Sequence, residues 1–127
     1  MSKQLGRSLM VAGSLTRLSY ALGALLGPDT MSALRLAPDV RGHAAGRMDF
    51  RAFGGLHINI ALLTLRAACL NRDPEIALGL NIGCELSDLA TTLLEWRDRG
   101  GPDRLLLGSV AVAAAGLATW TTALRNL

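Results

Sequence analysis

LLLGSVAVAAAGLATWTTAL, residues 105–124, is twenty residues without a charge on any side. A surface helix of a water-soluble bundle keeps one polar face, and this stretch has none. At about 1.5 Å of rise per residue, twenty residues match the ~30 Å hydrocarbon core of a bilayer. Three further stretches are nearly free of charge: residues 8–27, 52–71 and 76–94. The expectation is an all-α fold, a bundle of four antiparallel transmembrane helices with a longer polar loop between the first two.

The connections agree with four helices. Gly27-Pro28 ends the first, and Asp49 is placed to cap the second. Asp73-Pro74-Glu75 reads as an N-cap, a proline at the first helical position and an acid in the first turn. Gly100-Gly101-Pro102-Asp103 repeats that grammar before the fourth. The loops at 72–75 and 95–104 are short, which makes helices two, three and four antiparallel neighbours. The connection from Pro28 to Arg51 is longer, and Asp29, Thr30 and MSALRLA before Pro38 suit a short helix on the membrane surface.

The whole chain fits these elements. It has 127 residues, half of them hydrophobic, 18% charged and 4% aromatic, with mean hydropathy +0.34. That length makes one integral membrane domain. Arg17 interrupts the first apolar run and no cleavage site follows, which argues against a signal peptide. A soluble helical bundle is the rival that the ionisable groups in spans two and three would favour, and the fourth span is what it fails to explain. Trp96 and Trp120 fall near opposite ends, where interfacial anchors belong. The net charge of +3 comes from loop arginines suited to lipid headgroups. No stacking aromatics accompany them, so nucleic acid is not an expected partner. Seven loop arginines on one side against four basic residues on the other favour cytoplasmic long loops, whereas Lys3 and Arg7 favour the reverse.

Span three carries the chemistry. Asn81, Glu85, Asp88, Thr92 and Glu95 recur at intervals of four and three, which is one helical face. Eight Leu and Ile residues at about −0.5 kcal/mol each barely offset two central acids at up to roughly +3 kcal/mol each on an insertion scale. The helix therefore needs partners. Counting outward from the 72–75 turn sets Asn59 level with Asp88, His57 within a turn of it and Arg66 level with Asn81, and counting from the other face sets Arg17 level with Cys84 and Glu85. The expected pairs are Arg17 with Glu85, and His57 or Asn59 with Asp88. Gly54, His57, Ala61, Thr64 and Ala68 form a small-residue stripe on span two, and Met10, Gly13, Arg17, Tyr20 and Ala24 one on span one; such faces let helices approach closely. Gly108, Val112 and Gly116 share a face of span four.

His57, Glu85 and Asp88 are then the candidate acid/base group, with Arg17, Asn59 and Asn81 as candidate substrate-binding residues. The same residues also suit a purely structural hydrogen-bonded interior. One His with two acids lacks a metal-ligand motif, so neither a metal nor another cofactor is assigned. Cys69 and Cys84 sit ~9 Å apart along the helix axes, beyond disulfide reach, and are expected as free thiols.

The segment MDFRAFGGLHINIALLTLRAA, residues 48–68, opens on Arg51, Phe53, Gly54 and Gly55 after a proline-containing loop. In this and in its general layout the chain resembles the small bacterial four-helix membrane proteins called DoxX-like. The resemblance implies the bacterial inner membrane and supplies no particular reaction; Asn81-Ile-Gly-Cys-Glu85-Leu-Ser-Asp88 departs from many such proteins. Two functions compete. The first is a non-enzymatic accessory subunit or lipid-binding bundle, partnered by membrane lipids, an apolar small molecule, a second copy or a larger membrane complex. The second is an intramembrane acid–base enzyme, an isomerase or cyclase of a steroid or terpenoid. Four short helices leave little room for a pocket, so that enzyme would need a dimer or an opening to lipid. Ion conduction ranks last, because span four offers only Ser109, Thr119, Thr121 and Thr122 near its ends.

Overall fold

The computed structural model describes residues 3–35, 43–101 and 103–127. It is all-helical, with no strand among the described residues: α1 (Lys3–Leu26), α2 (Pro28–Arg35), α3 (Ala44–Leu70), α4 (Pro74–Arg99) and α5 (Arg104–Leu124). Three of these, α1, α3 and α5, are long and apolar enough to cross a membrane. The fourth expected span, α4, has the length at 26 residues, but its Glu75, Glu85 and Asp88 leave it less apolar than the other three.

The helix boundaries follow the local chemistry. Pro28 starts α2 two residues after α1 ends, because proline is tolerated in a first turn and not in a helix interior. The expected long polar loop is mostly helical: α2 takes its beginning, and α3 starts at Ala44, well before Asp49. Asp49 is thus an interior residue rather than a cap, since nothing between Ala44 and Arg51 breaks a helix. The stretch 36–42, including Pro38, and Pro102 lie outside the described residues. Asp73 is the N-cap of α4 with Pro74 behind it and Glu75 in the first turn, yet its side chain makes no capping bond. Asp103 does cap α5, accepting from the Leu106 amide at 2.8 Å, and this bond holds its carboxyl below the ordinary range. Arg99 adds to it, bridging Glu95 and Asp103 from the end of α4.

The interior is built from small and polar residues. Gly54, His57, Ala61, Thr64, Ala67 and Ala68 of α3 are buried, as are Met10, Ser14, Arg17, Ala21 and Ala24 of α1. Large apolar side chains point outward instead: Leu15, Leu56, Leu62, Leu86, Leu93 and Val112 are all about half exposed. This is the inverse of a water-soluble domain, where a contiguous apolar exterior is rare. On α4 the sequence-read face holds, with Asn81, Glu85 and Thr92 buried and Leu86 and Leu93 exposed. Cys69 and Cys84 are free thiols.

Gly54 sets the distance between α1 and α3. A Cβ there would lie 2.7 Å from the Ala21 carbonyl oxygen and 2.9 Å from the Leu25 nitrogen, both backbone atoms that cannot rotate away. Gly54→Ala is therefore expected to cost about 1–3 kcal/mol as the two helices separate. Gly55, whose Cβ would meet nothing within 4 Å, is the internal control. Unfolding of the two alanine variants in detergent should separate them; equal stability would show that this approach is not tight.

Candidate functional site

The first helix brings Arg17 to the centre of the bundle, and α4 brings Glu85 to meet it. One guanidinium nitrogen of Arg17 donates to Glu85 Oε1, and both side chains are nearly buried. The other terminal nitrogen lies 2.9 Å from His57 Nδ1. A guanidinium has only donors, so Nδ1 accepts and His57 carries its ring proton on Nε2. His57 is therefore the neutral imidazole in this arrangement, and the acid and base of the ion pair offset each other's charge.

Trp120 of α5 completes the group. Its indole Nε1 donates to the same Glu85 oxygen at 3.2 Å, and the Arg17 guanidinium stands over its ring, 5.6 Å from the centroid. Two glycines make space for this. A methyl on Gly13 would overlap the indole, and a Cβ on Gly116 would sit 2.7 Å from both Glu85 carboxylate oxygens. Phe53 stacks on His57 with ring centroids 4.0 Å apart, and Tyr20 meets Phe53 edge-on at 5.9 Å. The aromatic and glycine opening of α3 thus has a physical use: Phe53 braces the imidazole and Gly54 admits α1.

Next to this network is a cleft of about 720 Å³. Arg17, His57, Glu85, Asp88 and Trp120 supply its polar wall, while Leu9, Tyr20, Met31, Phe53 and Val112 are among its apolar residues. Ala12 and Thr16 of α1 and Val112 and Ala115 of α5 line it and are themselves exposed, so the cleft opens sideways between these two helices. Its volume lies within the ~300–1,000 Å³ typical of small-molecule sites. Of the two ways in which so small a bundle could make room for a ligand, a second copy or an opening to lipid, the cleft corresponds to the second, with small side chains such as Ala12, Gly13, Ala115 and Gly116 leaving space between α1 and α5.

The structure sorts the six candidates. Arg17, His57, Glu85 and Asp88 converge on the cleft, Asp88 half-buried and one helical turn from Glu85. Asn59 does not: it is exposed and its amide donates to the Gly55 carbonyl one turn back, at 3.0 Å. Asn81 is fully buried away from the cleft, donating to Thr64 Oγ1 and the Ala77 carbonyl at 2.7 Å each. It fastens α3 to α4 and has no surface left for a ligand. Arg66, level with Asn81 by counting, is exposed, and Thr64 is the residue of α3 that Asn81 meets. Trp120, read as an interfacial anchor, is instead 3% exposed at the heart of the site. Of the Gly108, Val112 and Gly116 face, Gly116 was the available signal, since it marks where the Glu85 side chain meets α5, while a Cβ on Gly108 would have nothing within 4 Å. Among the described residues, no three His, Cys, Asp or Glu side chains gather as a metal site would require.

No protein-family model, curated protein or solved structure matches this chain.

Proposed function

We propose that the chain is an integral membrane protein whose α1, α3, α4 and α5 cross the bilayer as an antiparallel bundle, and that it binds an amphiphilic small molecule in the lateral cleft. The inverted interior, polar within and leucine-rich without, supports the membrane placement. The Arg51, Phe53, Gly54 and Gly55 opening, with its DoxX-like resemblance, favours the bacterial inner membrane. One observation carries the binding role: an apolar cleft open between two apolar helices, ending on a hydrogen-bonded Arg17, His57, Glu85 and Trp120 wall. Such a site takes a molecule that is mostly hydrocarbon and has one polar end, entering from lipid without crossing water.

Purification from native membrane followed by solvent extraction tests this. One amphiphile should accompany the protein at near one-to-one ratio and be lost in Ala115→Trp, which fills the cleft at its mouth without touching the ion pair. Equal lipid content in both proteins would overturn the binding role.

The second reading is acid–base catalysis on the same ligand, favoured by Asp88 and His57 both lining the cleft. Glu85, held by Arg17 and Trp120, is then a positioning residue and Asp88 the candidate base. In an isomerisation, Asp88 would take a proton from carbon and return it to another carbon of the same substrate, leaving no net change. Asp88→Asn that still binds the ligand but converts none of it would select this reading over simple binding.

A further inference from the structure

A second cavity, about 220 Å³, lies where α3 turns into α4. Its polar lining is Arg66, Arg72 and Asp73, and its apolar lining includes Leu63 and Ile76. The turn is tightly wound: Asn71 and Asp73 both sit in the left-handed region, at φ 51° and 50°, without being glycine. Among the described residues, neither Arg66 nor Arg72 has an ion pair or a hydrogen bond through its side chain. Two guanidinium groups against one carboxylate leave the pocket with a net positive charge.

The position matters as much as the charge. Arg66 stands four residues before the end of α3, about 6 Å below the turn along the helix axis. From that depth a long side chain reaches up to the headgroup level of a membrane. Leu63 and Ile76, 40% and 63% exposed, continue the pocket's apolar wall. A planar, multiply donating guanidinium matches the oxygens of a phosphate, and two of them clasp it from different sides.

We propose that this pocket holds the phosphate of an anionic phospholipid, with the headgroup on Arg66 and Arg72 and the start of an acyl chain against Leu63 and Ile76. The inference rests on the membrane placement proposed above and is independent of the ligand in the lateral cleft. Basic pockets between transmembrane helices recognise lipid headgroups in this way, each arginine adding roughly a factor of five to affinity.

Native mass spectrometry of the full chain in detergent, titrated with phosphatidylglycerol or phosphatidylcholine, tests it. Phosphatidylglycerol should bind in preference, and Arg66→Gln/Arg72→Gln should weaken it roughly 30-fold. Arg66→Lys/Arg72→Lys should restore part of the loss. Both arginines are exposed, so unfolding of the glutamine variant should match that of the parent chain. Equal phosphatidylglycerol binding by parent and glutamine variant overturns the proposal. So does competition by millimolar inorganic phosphate to the same extent, which would make this a site for a free anion. A chain that needs detergent yet shows no lipid preference overturns the pocket alone. A chain that stays soluble without detergent overturns the membrane placement as well.

Discussion

Arg17→Ala is expected to destabilise the bundle by about 3–5 kcal/mol, the cost of leaving a buried carboxylate without its cation. Glu85 would keep only the Trp120 indole as a partner among the contacts described above. Glu85→Ala should cost a similar amount, because Arg17 would then lose its carboxylate partner and keep the His57 ring and the indole, which carry no compensating charge. The informative variant is the double one. Arg17→Leu/Glu85→Leu removes both charges together and should regain most of the stability lost by either single leucine substitution. Unfolding of the four proteins in mixed micelles measures the coupling. Additive losses in the double variant would mean that the pair is not a unit.

Trp120→Ala should be nearly as damaging, at about 3–5 kcal/mol, since it empties the largest buried volume on α5. It should also merge that space with the cleft and weaken retention of the amphiphile. Trp120→Phe separates ring from hydrogen bond. It keeps the flat surface against Arg17 and Gly13 but removes the donor to Glu85, and should cost about 1.5–3 kcal/mol. If phenylalanine proves as harmful as alanine, the indole N–H rather than the ring volume is what the site depends on.

Much of this site was legible before the structure. The pairing of Arg17 with Glu85 follows from counting residues along antiparallel helices, which works because height in a bundle is set by a fixed rise. The small-residue stripe on α3 was legible for a related reason: Gly54, His57, Ala61, Thr64 and Ala68 repeat at helical spacing, and all five are buried. Counting fails where direction around the helix matters. Asn59 has the right height for Asp88 but lies about 200° around α3 from His57, so it faces outward. Asn81 has the right face, yet it is fully buried and its amide donates to a buried threonine on the next helix, so no ligand reaches it.

Trp120 was misread because a tryptophan near a helix end belongs equally well to an interface or to a buried acceptor. Only the three-dimensional position of Glu85 distinguishes them. The short helix in the long connection was legible from Asp29, Thr30 and the following MSALR, and α2 occupies it; the early start of α3 at Ala44 was not, since alanine and arginine extend a helix without any cap to mark its beginning. The cleft left the weakest trace. It arises from what α1 and α5 lack, namely large side chains along facing edges.

The ion pair at the centre of the bundle also dictates how the molecule can be made. Arg17 emerges from the ribosome 40 residues before His57 and 68 before Glu85. The first helix must therefore meet lipid while its guanidinium has no counter-charge, at a cost of roughly 2.5–3.5 kcal/mol for insertion. His57 can take one of its hydrogen bonds when α3 arrives, and the carboxylate comes only with α4. The counter-charge that makes the first helix acceptable to the membrane comes late in the chain, and the indole of α5 that also bonds it comes later still, so a chain cut short before α4 leaves the Arg17 guanidinium without its carboxylate.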